Sequence, residues 1–233
     1  MKLYTILLLH FAVFICNSGN AQSIQKGFTI IPLGVKGGLD ESNLSAYLVK
    51  ANGAEQFICL DAGTIYTGYK KYLVPEKEIE QSAAGVSVTP FVLSHVKPYE
   101  STAFLVRNQT EYLLYLGDTG PDEVEHSNQL ANLWNHIAPL VQKKQLKSIF
   151  IEVSFNNKVA DGSLYGHLTP NWLMKEMNNL YKLAGEPLKE VNIMVTHMKP
   201  CDNCEINIKE DLQKANSLGL KLYFPKQGEI IQQ

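Results

Sequence analysis

The chain has 233 residues, 45% of them apolar, and carries 21 basic against 23 acidic side chains. That near-neutral balance gives no electrostatic case for binding nucleic acid polymers or membrane surfaces. The length suits one substantial domain with its own core.

The chain opens on Lys2, an apolar run over 3–16 and the small, polar stretch "NSGNAQ". This pattern predicts a signal peptide over residues 1–21, cleaved before Gln22, and a single domain over 22–233. Cys16 is a poor lipoprotein anchor, because bulky Ile15 stands where a small residue is wanted. No later apolar run is long enough for a membrane segment, so the expected location is periplasmic or secreted. Three cysteines remain after cleavage. In an oxidising compartment Cys201 and Cys204 suit a small disulfide loop, with Cys59 left as a buried thiol on a strand. A zinc knuckle would need two further soft ligands nearby.

Strands are expected over 28–34, 44–51 and 57–63, with a hairpin signal at Asn52-Gly53. Residues 65–85 show no sustained period. Strands resume over 86–95, 101–108 and 111–118, the last two forming a hairpin about Asn108-Gln109. A helix follows over 123–144, with Leu130, Leu133, Trp134, Ile137, Leu140 and Val141 on one face. Residues 148–155 read as a buried strand. Thr169 and Pro170 open the next helix and Gly185 closes it. Another strand covers 191–197. Asn207 with Glu210 reads as a capping box opening the last helix, which stops at Gly219 before a final strand. Strands dominate the first half and helices alternate with strands in the second, which fits an α/β fold with a two-sheet core covered by helices.

Five polar residues stand at strand ends or just beyond: His95, Asp118, Glu152, His167 and His197. Asp118 lies in "YLGDTG", where a carboxylate leaving a buried strand needs a positive or hydrogen-bonding partner. Imidazole and carboxylate are ligands for zinc, manganese or iron. Two readings stand on spacing alone: a shared metal site, or separate hydrogen-bonded side chains. His126 and His136, ten apart on one predicted helix, lie on different faces and read as surface residues. Asp61 in "LDAGT" reads as a turn residue that bonds backbone amides.

"GVKGGLDESNLSAYLV", "ICLDAGT", "LSHVKPYESTAFLV", "LYLGDTG", "IEVSF…LYGHLTP" and "VTHMKP", in that order, resemble the class II cyclic-nucleotide phosphodiesterases of the metallo-β-lactamase superfamily. The strand-borne Glu, the Gly-His-x-Thr step and the Thr-His are also similar to the tRNA 3′-processing endonucleases. The resemblance implies an αββα sandwich with two divalent metal ions, zinc in full-length relatives, between loops at one edge. It implies His95 on one metal, Asp118 bridging and His197 on the other. Glu152 and His167 would form a pair beside the phosphate that steers a proton to the departing ribose oxygen or stabilises charge on the phosphoryl group. The implied reaction is metal-dependent hydrolysis of 3′,5′-cyclic nucleotides, cyclic AMP above all, to nucleoside 5′-monophosphates.

The superfamily's His-x-His-x-Asp-His motif is missing: the chain has six histidines, none between residues 64 and 94. The fold is therefore expected to be incomplete, with an internal segment absent near residues 71–75. His95, Asp118 and His197 alone leave each of two metal positions at most two protein ligands, where zinc takes three or four. Three readings follow: a shortened and impaired enzyme, a non-catalytic nucleotide-binding or interaction relative, or a chain completed by a different subunit. A homodimer that covers the exposed sheet edge is a further expectation.

Overall fold

A computed structural model describes residues 25–37, 44–61, 78–81, 85–97 and 99–233. The predicted signal peptide and the expected break near 71–75 lie outside the described residues.

Two sheets stack face to face. The smaller has the order β11-β1-β2-β3, from β1 (Gln25–Gly34), β2 (Ala46–Asn52), β3 (Ile58–Leu60) and β11 (Ile231–Gln232). The larger has the order β10-β9-β8-β7-β6-β5-β4. Its strands are β4 (Ile79–Gln81), β5 (Val86–Ser94), β6 (Glu100–Asn108), β7 (Glu111–Leu116), β8 (Leu146–Glu152), β9 (Asn192–Thr196) and β10 (Lys221–Tyr223). Strands β4 to β7 pair antiparallel, and β7 to β10 pair parallel through helical crossovers.

The long apolar runs of β7, β8 and β9 are buried on both faces, and their alternation feeds two cores. Leu114, Leu116, Ile149, Ile151, Ile193 and Val195 face the helices. Leu113, Tyr115, Phe150 and Met194 face the smaller sheet and meet Phe28, Ile30, Tyr47 and Val49. The helical layer comprises a short α1 (Asp122–Glu125), α2 (Gln129–Gln142), α3 (Pro170–Ala184) and α4 (Cys204–Ala215). Among the described residues every buried helical side chain that joins a hydrophobic cluster joins the one on this side of the larger sheet.

Several expectations shift by a turn or more. The helix predicted over 123–144 is broken at His126, whose φ of 49° is left-handed. Asp122 causes the break: its carboxylate accepts from the Ser127 hydroxyl and from the Leu130 and Ala131 N–H groups, at 2.5, 3.1 and 2.8 Å. His126 and His136 thus stand on separate elements, both exposed. The last helix starts at Cys204 rather than at Asn207, because the Cys201–Cys204 disulfide and left-handed Asn203 set its first turn. Asn207 is already helical, its N–H donating to the Asn203 carbonyl at 2.9 Å. Cys59 is an exposed free thiol, not a buried one, because β3 turns that side chain away from the inter-sheet core. The Asn52-Gly53 signal does join an antiparallel pair, though through residues 53–57 rather than a two-residue turn. Thr169 caps α3 as expected, accepting from the Trp172 N–H at 3.4 Å, and Gly185 ends it at φ 64°.

Candidate metal and phosphodiester site

The site collects at the ends of β5, β7, β8 and β9, where four loops bond one another. His95 follows β5. The Gly120 N–H donates to the Ser94 carbonyl at 3.1 Å, tying the loop that carries Asp118 to that strand end. Val153 N–H donates to the Thr196 carbonyl at 3.1 Å, and Ser154 N–H to the Leu168 carbonyl at 3.1 Å, which brings in the His167 and His197 loops. All five residues singled out in the sequence meet here.

Both His95 and His167 have their Nδ1 held by an oxygen. His95 Nδ1 lies 2.9 Å from the Gly166 carbonyl, which can only accept, so that nitrogen carries the proton. His167 Nδ1 lies 2.8 Å from Glu152 Oε1. Each ring therefore has only Nε2 left to offer a ligand. The two rings meet edge to face at 5.0 Å, and His167 stacks on His197 at 5.6 Å. Gly166 is obligatory in this packing: a Cβ there would stand 2.5 Å from His95 Nδ1 and 2.4 Å from Val96 N, at φ +76°.

Glu152 is 1% exposed, at the end of a core strand. Burial pushes its carboxyl up, but the charge and hydrogen bond of His167, with His197 and Ser154, hold it below its ordinary value. The Thr119 N–H also donates to Oε1, at 3.3 Å. Burial presses the His167 imidazole towards its neutral form. Glu152 outweighs that, and Asp118 adds to it, so His167 stays protonated above the usual histidine range, with Lys199 opposing. Both directions favour an imidazolium on a carboxylate.

Asp118 Oδ1 lies 3.2 Å from His197 Nδ1, an ion-pair distance without hydrogen-bond alignment. Among the described residues, His197 Nδ1 is thus a buried nitrogen with no hydrogen-bond partner, beside a carboxylate. A cation shared by the two satisfies both. His95, Asp118 and His167 each offer one ligand atom, all within 4.8 Å of one another, a grouping that can hold a metal ion. Two or three imidazoles and one carboxylate form a donor set suited to a divalent transition metal. The residues present fit one ion.

Two contributors escaped the sequence reading. Asp61, treated there as a turn residue, accepts from the Tyr115 hydroxyl at 2.7 Å. The residue as a whole is exposed, yet its carboxyl end is crowded. Burial raises that acid, the Tyr115 hydrogen bond lowers it, and Asp118 and His197 act on it from the site. Its left-handed φ of 59° turns the chain at the end of β3. Gly37 is the second: a Cβ there would fall 2.4 Å from His197 Cδ2 and 2.9 Å from the His197 carbonyl. The Gly-Gly pair at 37–38 was a sequence signal for such a close approach. The local sequence marked Asp61 only as a turn residue, because its partner Tyr115 comes from the other sheet.

The family model described as cAMP phosphodiesterases class-II matches residues 73–228. A 3′,5′-cyclic-nucleotide phosphodiesterase of Aliivibrio fischeri is 28% identical over 321 aligned positions, covering 94% of this chain and 97% of the relative. That alignment is longer than this 233-residue chain, so the relative carries residues within the aligned span that this chain lacks. A probable 3′,5′-cyclic-nucleotide phosphodiesterase of Yersinia pestis is 39% identical over 145 residues, 60% of this chain and 42% of the relative's length. The crystal structure of unliganded yeast PDE1 superposes with a TM-score of 0.75 at 16% identity, covering 88% of this chain and 99% of that one. The metallo-β-lactamase fold protein YhfI of Bacillus subtilis gives a TM-score of 0.62 at 12% identity, covering 90% and 100%. The fold is that of the metallo-β-lactamases, and the chain belongs to the class II cAMP phosphodiesterase family.

Proposed function

We propose that this chain binds 3′,5′-cyclic nucleotides, cyclic AMP foremost, and hydrolyses them slowly to nucleoside 5′-monophosphates at a one-ion centre. The observation that carries this reading is the unpartnered His197 Nδ1 facing Asp118 beside the Glu152–His167 pair. His95, Asp118 and His197 would hold the ion. His167 reaches the same place and groups with His95 and Asp118, while its bond to Glu152 favours the protonated form that serves as proton donor.

A divalent ion here supplies Lewis acidity: it offsets the negative charge of the phosphodiester and makes water a stronger acid. The chain's own residues then have separate tasks. His95, Asp118 and His197 would fix where the ion sits. His167, its Nδ1 fixed on Glu152, holds a proton on Nε2 for the departing ribose oxygen. Buried Glu152 keeps that proton in place until it is needed.

The slow rate follows from the missing His-x-His-x-Asp-His motif, which removes the ligands for a second ion. Zinc suits the donor set. The Cys201–Cys204 disulfide supports an oxidising compartment, and with the leader pattern of residues 2–21 it supports a periplasmic or secreted protein. The missing motif also favours a second reading, a binder that never turns over.

Metal analysis and cyclic AMP turnover on protein purified without chelators test the proposal. About one ion per chain and slow release of AMP are expected. His197→Ala should lose the ion, whereas His167→Ala should keep it and lose turnover. A protein that holds no divalent ion and gives no AMP would overturn the enzymatic reading. Binding of cyclic AMP without any product would select the second.

A further inference from the structure

Lys199 is a cation at the site that neither the ligand set nor the proton donor uses. It stands two residues beyond His197, and its N–H donates to the Ser154 carbonyl at 3.4 Å, which pins it to the loop after β8. Its Nζ lies 4.4 Å from the centroid of the Phe155 ring. Phe155 in turn meets the His167 ring edge to face at 5.9 Å. The carboxylates of Glu152 and Asp118 are near enough to act on the ammonium. Yet among the described residues no carboxylate lies within ion-pair distance of it.

A half-buried ammonium without a counter-ion is costly unless something negative arrives. The Phe155 face offsets part of that cost and fixes where the charge sits. Glu152 holds His167 through Oε1 only, its buried Oε2 being unpartnered, and Asp118 faces His197; neither carboxylate comes within ion-pair distance of Lys199. The anion that completes the arrangement comes from outside. We infer that Lys199, seated on the Phe155 ring beside His167, contacts a phosphoryl oxygen of the bound cyclic phosphodiester. This rests on the cyclic-nucleotide reading above and adds a substrate-binding residue to it. A lysine suits the task because its ammonium meets a phosphate as a compact point charge.

Calorimetry separates the two claims. Wild-type protein, Lys199→Met and Lys199→Arg are titrated with cyclic AMP and with adenosine, which has the base and ribose but no phosphate. Methionine keeps an unbranched apolar stem against Phe155 and removes only the charge. Lys199→Met should bind cyclic AMP roughly tenfold to a hundredfold more weakly, as for loss of a charged hydrogen bond. Adenosine affinity should stay unchanged, and Lys199→Arg should recover most of the loss. The fall of cyclic AMP affinity with added salt should also be shallower in Lys199→Met. Equal cyclic AMP affinity and equal salt dependence in wild type and Lys199→Met would overturn the role of Lys199 while leaving the cyclic-nucleotide reading intact. Equal losses for cyclic AMP and adenosine would mean a merely structural role and would also overturn it. Wild-type protein that binds no cyclic AMP would overturn both.

Discussion

The two sheets bring unequal shares to the site. The seven-stranded sheet delivers His95, Asp118, Glu152, His167 and His197 from the ends of β5, β7, β8 and β9. Among the described residues, the four-stranded sheet adds Asp61 at the end of β3 and Gly37 beyond β1. The difference follows from packing. The larger sheet is covered on both faces, by helices and by the smaller sheet, so the exits of β7, β8 and β9 are fixed by buried register. Donors on such exits are held without help from the other side.

The largest test of that contrast strikes the helical cover. Trp134 on α2 is fully buried, and its Nε1–H donates to buried Glu176 Oε2 on α3 at 2.8 Å. Trp134→Ala should cost about 3–5 kcal/mol in urea unfolding, through a cavity and a carboxylate stripped of its donor. Glu176, which burial already raises and Trp134 lowers, should titrate higher still. A cost under about 1 kcal/mol would mean that the helical layer does not anchor the larger sheet.

The same division explains what could be read without coordinates. Strands β5 to β9 and the face of α2 were legible because local periodicity and deep burial agree there: Leu130, Leu133, Trp134, Ile137 and Val141 are all buried as the 3.6 period requires. The start of α4 was not legible, because the covalent link between Cys201 and Cys204 overrode a good capping pattern at Asn207. Asp122 broke the preceding helix by bonding backbone groups up to nine residues ahead, a tertiary choice no periodicity shows. In the site, strand-exit position singled out the five residues. Their mutual orientation was not legible, since it depends on Gly166 admitting His95 and on Glu152 capturing His167 Nδ1. Asp61 was missed for the corresponding reason: its partner Tyr115 is 54 residues away on the other sheet.

The hydroxyl that joins the two sheets gives a smaller test. Tyr115→Phe removes the 2.7 Å donation to Asp61 Oδ2 and keeps the ring packed against Tyr47 and Phe150. A loss of about 1.5–3 kcal/mol is expected for a bond to a charged acceptor. Asp61 should titrate higher, since the Tyr115 bond is what lowers its acid against burial. An unchanged Asp61 titration in Tyr115→Phe would show that the smaller sheet's carboxylate is not tethered to the larger sheet in solution.

The subtlest test stays within the larger sheet and uses metal-free protein. Glu152 titrates below its ordinary 4.5 in the folded chain, so its contribution to stability is present above about 4.5 and is lost as pH falls through the folded value. His167 titrates above its ordinary 6.5, so its contribution is complete below about 6.5 and is lost as pH rises through its folded value. The pair therefore stabilises most between about 4.5 and 6.5. The net effect should be modest, because burial opposes the charged form of both partners. Comparing unfolding midpoints of wild type and Glu152→Gln across pH isolates it. Their difference should be widest inside that window and shrink on either side. A difference that is flat with pH would mean that His167 is neutral on Glu152, and the proton assigned to its Nε2 would then have no basis.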